Sequence, residues 1–357
     1  MSSTWGDKIK ISIFGESHGR GIGVVINGLK AGFKIDFDKL DEFTSRRRPG
    51  SSEFVTARNE SDKFNVLSGI SNGFTTGAPI AAITENCDVK SGDYKNVQTL
   101  ARPSHADYPA YVKYGGFCDL NGGGHFSARL TAPLVFAGGI AEQYLESMGV
   151  KIFSHIYSIK DVFDTPFNLT DTEKYYEILS KKDFKVLNDL SEEKMKETIR
   201  FAKSNCDSVG GVIECAATGL KVGAGDPIFG GLESKISSIV FGIPAVKGIE
   251  FGAGFKITEM YGSEANDCYF NDNGNVRLKT NNNGGILGGL SDGMPIVFKV
   301  AFKPTPSISK EQNTINYKTL KEETLQIKGR HDPCVALRGG VCVEAALALA
   351  LLDSLYE

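Results

Sequence analysis

Two segments of this chain are apolar on almost every face when wound as helices, TAPLVFAGGIAEQYLESMG at 131–149 and VCVEAALALALLDSLYE at 341–357. A helix without a broad polar stripe must be covered on all sides. The rest of the sequence supplies the cover as strands. Residues 8–14 and 22–28 read as strands flanking the loop GESHGRG, and KIFSHIYSI at 151–159 alternates. FNVLSGISNGFTTGAPIAAITEN at 64–86 reads as a hairpin turning near Asn72-Gly73. Hairpin strands with buried helices favour an α+β sandwich over a doubly wound parallel sheet.

The 357 residues are read as a single domain, 1–357, with 159–204 as an insertion or excursion, charged and interrupted by Pro166. IDFDKLDEFTSRRRPG at 35–50 predicts a short helix stopped by Pro49 and Gly50, and SEEKMKETIRFAKSN at 191–205 an exposed one. An internal echo suggests a pseudo-repeat. Gly69-Ile70-Ser71-Asn72-Gly73 with Pro79-Ile80 resembles Gly289-Leu290-Ser291-Asp292-Gly293 with Pro295-Ile296, and RPSHAD and GRHDP follow, each before an apolar helix.

A net charge of −3 argues against a general nucleic-acid or membrane-surface binder. No stretch approaches the length of a membrane span and no leader is evident, so a cytoplasmic location is expected. Seven scattered cysteines suggest neither a disulfide framework nor a zinc ribbon. Basic residues are unevenly chosen: 29 are lysine and 11 arginine, and nine of the arginines lie at 20, 46, 47, 48, 58, 102, 129, 330 and 338. The planar fork of arginine matches carboxylate and phosphate. Four of the five histidines, 18, 105, 125 and 331, lie in the same regions; His155, inside the alternating strand, reads as structural.

These motifs carry the candidate chemistry. FGESHGRG places Ser17, His18 and Arg20 at a strand end, where a histidine can serve as general acid or simply cap the strand. RPSHADY sets Arg102, His105 and Asp107 within six residues, the aspartate able to orient the ring or to start a helix. GRHDPCVALRGG repeats the theme with Arg330, His331, Asp332 and Arg338. LNGGGHFSARLTA puts three glycines before His125, Phe126, Ser127 and Arg129; the glycines permit positive φ and close approach to a bound group. FKPTPSISK offers Lys303, Thr305 and Ser307 to phosphate oxygens, and SRRRPGSS is either a solvated helix end or an arginine loop closing over a polyanion. A metal-dependent hydrolase using His18, His105 and His125 competes with a metal-free enzyme for a phosphorylated, carboxylated substrate. No H-x-H or H-E-x-x-H occurs and the arginines would repel a cation, so the metal-free reading is preferred. An RNA- or anion-binding protein using Arg46 to Arg48 would not need three histidine motifs.

GESHGRGIGVVINGLKAG, RRRPGSS, RPSHADYPAYVKYG, GGGHFSARLTA, PAVKGIEFG, GGILGGLSDG, FKPTPSI and GRHDPCVALR occur in the order found in the chorismate synthase family, which the chain resembles along essentially its whole length. The resemblance implies a lyase that removes phosphate from 5-enolpyruvylshikimate 3-phosphate by anti-1,4-elimination, giving chorismate for aromatic amino acid biosynthesis, with reduced FMN and no net redox change. It implies His18 as proton donor to the departing phosphate, His105 as proton donor to the flavin, and Asp332 as helper of the flavin base. It implies substrate binding by Ser17, Arg47, Arg48, Arg102, Arg129 and Arg338. FMN binding falls to His125, Phe126, Ser127, Pro244, Ala245, Gly288, Lys303, Pro304, Thr305, Pro306, Ser307 and Arg330. The family commonly carries an arginine and a small residue where this chain has His125 and Phe126. A homotetramer is implied, and an external flavin reductase is expected because no nicotinamide fingerprint is present; nucleic acid, membrane and metal are not expected.

Overall fold

Gly21–Asn27 (GIGVVIN) buries Ile22, Val24 and Ile26 along one face, and it is the middle strand of a five-stranded antiparallel sheet. The computed structural model describes residues 3–48, 54–55, 60, 62–87, 99–119, 121–327 and 331–356. In spatial order the sheet runs Thr4–Trp5, Lys10–Gly15, Gly21–Asn27, Ile80–Glu85 and Asn65–Ser68. A second five-stranded antiparallel sheet runs Val246–Phe251, Ile296–Phe302, Gly211–Thr218, Lys151–Ile159 and Val162–Phe163. The expected α+β composition with antiparallel sheets is therefore observed.

The apolar runs form helices Thr131–Ser147 and Ala336–Leu355. They pack on each other so closely at Gly138 that a Cβ there would lie 2.3 Å from the Cβ of Ala345. The first also lies against strands Lys10–Gly15 and Gly21–Asn27, and the second against all three central strands of the other sheet. One continuous core joins Val24 and Ile80 of the first sheet, Ile213 and Phe298 of the second, and Ile140 and Leu347 of the helices.

Asp36 caps helix Phe37–Ser45 by accepting from the amides of Asp38 and Lys39, and the helix ends at Ser45, short of Pro49 and Gly50, which lie outside the described residues. Asn72 and Gly73 have φ of 50° and 81°, the paired positive values that a two-residue hairpin turn requires. The echoing pentapeptides stand differently from one another. Ile70–Ser71 leads into its turn and pairs with Phe74–Thr75, whereas Leu290–Ser291 leaves a turn and pairs back to Ile286–Leu287. Residues 160–204 contribute a short strand and helices Lys174–Ser180 and Asp189–Ser204, both packed against Lys151–Ile159.

Candidate active site

The glycine triplet lies between two histidine rings. Gly122, Gly123 and Gly124 have φ of 62°, 114° and 52°. A Cβ on Gly122 would lie 1.8 Å from Cε1 of His18; on Gly123, 3.3 Å from Cε1 of His105; and on Gly124, 1.9 Å from the Asp119 carbonyl oxygen. The sequence reading expected these glycines to admit a bound group; the close neighbours are the protein's own imidazoles. The amide of Ser17 donates to the Gly124 carbonyl at 3.1 Å. The Ser17 hydroxyl contacts the Asn121 carbonyl at 3.3 Å and Nδ1 of His18 at 3.1 Å. After the triplet, Ser127 accepts from the amide of Arg129 at 3.2 Å and caps a short turn that leads into helix Thr131–Ser147.

Both histidines open on a cavity of about 850 Å³, toward the upper end of the range of roughly 300–1,000 Å³ for small-molecule sites. Thr131 and Val335, at the starts of the two buried helices, line it, so two positive helix ends face the same space. Arg47, Arg102, Arg129, Lys247, Lys303 and Arg338 line it too, against Glu60 and Asp332. The cavity is built to receive anions.

Arg47 and Arg129 are held by an acid that the sequence did not single out. Asp62, 2% exposed, accepts from NH1 of Arg47 with one oxygen and from NH1 of Arg129 with the other. Arg47 also donates from Nε to Thr131 at 3.0 Å, and Arg129 from Nε to Asn86 at 3.1 Å. Burial opposes ionisation of Asp62, but the two guanidinium groups outweigh it and hold the carboxyl below its usual range. Burial also lowers the pKa of Arg47, and although Asp62 opposes that shift, the charges of Arg338 and Arg129 add to it. Two buried cations thus share the Asp62 carboxylate, and Arg129 also stands 3.7 Å from buried Glu60.

Arg102 and His105 are organised by Asp107, which accepts from Nε of Arg102 at 2.7 Å, NH2 of Arg102 at 2.6 Å and Nδ1 of His105 at 2.8 Å. Burial would raise the Asp107 pKa, but these hydrogen bonds pull it far below the carboxylate range. Asp332 pairs with NH2 of Arg338, whose NH1 reaches the Arg47 carbonyl at 3.3 Å. His331 lines the same cavity; burial first, then the charge of Arg102, lowers its pKa to about 4. Lys303 donates to the Ser104 carbonyl at 2.6 Å, and burial and Lys247 lower its pKa. His125 donates from Nδ1 to the Gly15 carbonyl at 2.8 Å, leaving Nε2 to accept from the Ser3 hydroxyl at 2.7 Å.

Of the residues expected here, His18, His105, Asp332, Arg47, Arg102, Arg129, Arg338, His125, Phe126, Ser127, Pro244, Ala245, Lys303, Thr305, Pro306 and Ser307 line this one cavity. Four do not. Ser17 is fully buried, and Pro304 is not part of the lining. Gly288 sits in the turn between Ile286–Leu287 and Leu290–Ser291. Arg48 pairs with Asp41 and lines a second cavity, of about 940 Å³, because the turn that follows helix Phe37–Ser45 sends adjacent arginines to different sides. Arg330 lies outside the described residues. Asp62, Thr131, Asn86 and Lys247 escaped the sequence reading as site residues, and His331, singled out in its motif, was given no role there. A buried charge needs a counter-charge, so the arginine surplus signalled that acids were required without saying which.

A cationic cavity at two helix starts, provided with ordered histidines and a carboxylate, defines an enzyme for a small anionic substrate. The family model described as chorismate synthase matches residues 9–356. The chain is 45% identical to the chorismate synthase of Lancefieldella parvula, covering 100% of this chain and 97% of that protein. It is 44% identical to that of Pyrococcus abyssi, covering 98% and 96%. A solved structure titled "Crystal Structure of Chorismate Synthase" superposes with a TM-score of 0.77 at 26% identity, covering 98% of this chain and 92% of that one. The chain belongs to the chorismate synthase family, and with it to the lyases.

Proposed function

We propose that this cavity carries out anti-1,4-elimination of phosphate from 5-enolpyruvylshikimate 3-phosphate, giving chorismate, with reduced FMN bound beside the substrate. The observation that carries the reading is the convergence of His18 and His105 on one glycine turn at the mouth of an arginine-lined cavity. The residues present fit a flavin phosphate: the Thr305 hydroxyl oxygen is buried without a hydrogen-bond partner among the described residues. His125, Phe126, Ser127, Pro244, Ala245, Lys303, Thr305, Pro306 and Ser307 would hold FMN, with Pro304, Gly288 and Arg330 assigned to it by resemblance alone. Bound reduced FMN would supply electron density that lets an allylic phosphate leave without net oxidation.

The protein's part is binding and proton placement. Arg47, Arg129 and Arg338 supply forks for the phosphate and carboxylates, with Arg48, Arg102 and Ser17 in supporting positions. His18 gives a proton to the departing phosphate. His105 holds its proton for the flavin on Nε2, since Nδ1 is engaged by Asp107. Asp332 contributes a carboxylate beside the flavin base.

The same reading takes residues 1–357 as one domain, with helices sandwiched between the two sheets, a five-stranded sheet followed by a long buried helix in each half, and 159–204 as an excursion. It takes the enzyme as a cytoplasmic homotetramer supplied by an external flavin reductase, without nucleic-acid or membrane partners. Ile228, Phe229 and Phe255 are large apolar side chains left exposed, as subunit contacts would require; no described helix is long and apolar enough to cross a membrane.

The test is anaerobic phosphate release from 5-enolpyruvylshikimate 3-phosphate with reduced FMN, oxidised FMN or no flavin. Release with chorismate formation only in the reduced sample supports the reading; release without flavin, or none with reduced flavin and folded protein, overturns it. Turnover on NADPH and oxidised FMN alone would overturn the external reductase.

A further inference from the structure

Asp107 opens helix Asp107–Lys113, yet its carboxylate does not cap that helix. It turns back. One oxygen accepts from the backbone amide of Arg102 at 3.1 Å and from its Nε at 2.7 Å; the other accepts from NH2 of Arg102 at 2.6 Å and Nδ1 of His105 at 2.8 Å, and although the same NH2 stands 3.2 Å from Nδ1, its shorter contact is to the carboxylate. Both charged side chains are only 5% exposed. Ser104, at φ 58°, makes the turn that folds the ring over Arg102, and the His105 amide donates to the Arg102 carbonyl at 3.1 Å. Gly123 closes the opposite side of the ring, where a Cβ would stand 3.3 Å from Cε1 and Nε2.

We infer that Asp107, gripped by Arg102, is a positioning residue that fixes the His105 ring with its Nδ1 proton on the carboxylate, so that Nε2 is the nitrogen that exchanges protons at the cavity. This rests on the proposed role of His105 as proton donor. When imidazolium gives up the Nε2 proton, the ring left behind is the neutral Nδ1–H tautomer, already bonded to Asp107, and no ring flip is needed. Arg102 spends two of its three guanidinium nitrogens on this carboxylate, so it acts on orientation in place of the direct substrate contact that the family resemblance implies. The logic is that of any base oriented by a third group.

Asp107→Asn tests it in the full-length enzyme. The amide offers N–H to Nδ1, which must then accept, and the proton moves to Nε2. Nitrogen NMR of the histidine-labelled protein, with the His105 signal assigned by its loss in His105→Ala, should show the Nδ1–H tautomer in the wild type and Nε2–H in Asp107→Asn. With reduced FMN, kcat should fall by about 10²- to 10⁴-fold, with KM for the phosphorylated substrate within about twofold. An unchanged tautomer, or a loss confined to KM, overturns the inference. Arg102→Lys keeps the charge without the two-toothed grip. It should lower kcat at constant KM, and a rise in KM alone would return Arg102 to substrate binding and decide the matter should Asp107→Asn not fold. Absence of turnover in the wild type would sink the functional reading, while the NMR would still decide the role of Asp107.

Discussion

Gly122 is packed against the ring of His18 so tightly that a Cβ would fall 1.8 Å from Cε1 and 2.1 Å from Nδ1. Its φ of +62° is also unfavourable for any residue with a side chain, by about 1–2 kcal/mol. Gly122→Ala is therefore expected to push His18 out of place in a protein that remains folded, with turnover reduced about as far as in His18→Ala, by about 10- to 10⁴-fold. Steady-state kinetics beside a circular dichroism melt check this, and wild-type turnover in either variant would remove His18 from the reaction.

Asp62 separates two buried arginines, and removing one member of a buried ionic cluster typically costs about 3–5 kcal/mol because the remaining charge is uncompensated. Asp62→Asn should lose stability of that order in urea unfolding, and added phosphate or sulfate should restore part of it by replacing the missing carboxylate. The sign with pH follows from the depressed carboxyl. The stabilisation is complete above the unfolded value near pH 3.9 and is lost as pH falls through the lower folded value. A variant as stable as the wild type in plain buffer would mean that the arginines are not held in this way.

His155 bridges Asp164 at 3.0 Å and Glu214 at 2.8 Å with every side chain essentially buried. Asp164 also accepts from the amides of Leu187 and Asn188, and Glu214 from that of Phe167, so the imidazolium ties residues 164–188 to the second sheet. Burial works against its charge, but the two carboxylates outweigh that and raise the pKa. Its contribution is fully present below the unfolded value near 6.5 and is lost as pH rises through the folded one. His155→Leu should cost about 3–5 kcal/mol and flatten the alkaline side of the stability profile while kcat stays within about twofold. A large loss of kcat in the folded variant would contradict this separation from the active cavity.

The fold was legible where local pattern decides it. The runs at 131–149 and 341–357 could only be buried helices, Asn72-Gly73 could only make a tight hairpin turn, and the positive φ of residues 122–124 follows from three successive glycines. Much of the site was legible too, because arginine was rare enough for its placement to carry information. What lay hidden was long-range. Nothing near residue 122 says that its neighbour in space is the ring of residue 18, and Asp62 in the polar run NESDKF resembles any surface acid until Arg47 and Arg129 close on it. Arg47 and Arg48 are indistinguishable in sequence, yet the turn after helix Phe37–Ser45 sends the first into the arginine-lined cavity and the second toward Asp41.

His331 gives the acid side of the stability curve its own signature. Burial and the neighbouring Arg102 charge lower its pKa to about 4, and its Nε2 is buried without a hydrogen-bond partner among the described residues. The unfolded chain therefore takes up a proton that the folded protein refuses, and stability falls as pH drops from about 6.5 toward 4. The shift corresponds to a loss of roughly 3 kcal/mol at most. Asp62, Asp107 and Asp164, all held below the usual carboxylate range, lose their contributions only at still lower pH, and His155 is at full strength throughout this window, whereas Glu142, pushed up to about 8 by burial and by Glu344, acts in the opposite direction across it. His331→Gln, which cannot titrate, should remove this decline, so that the wild-type urea midpoint falls relative to the variant's between pH 6.5 and 4.5, the Glu142 contribution being common to both proteins. A decline of equal slope in both proteins would assign the acid sensitivity to another group and leave His331 without a role in it.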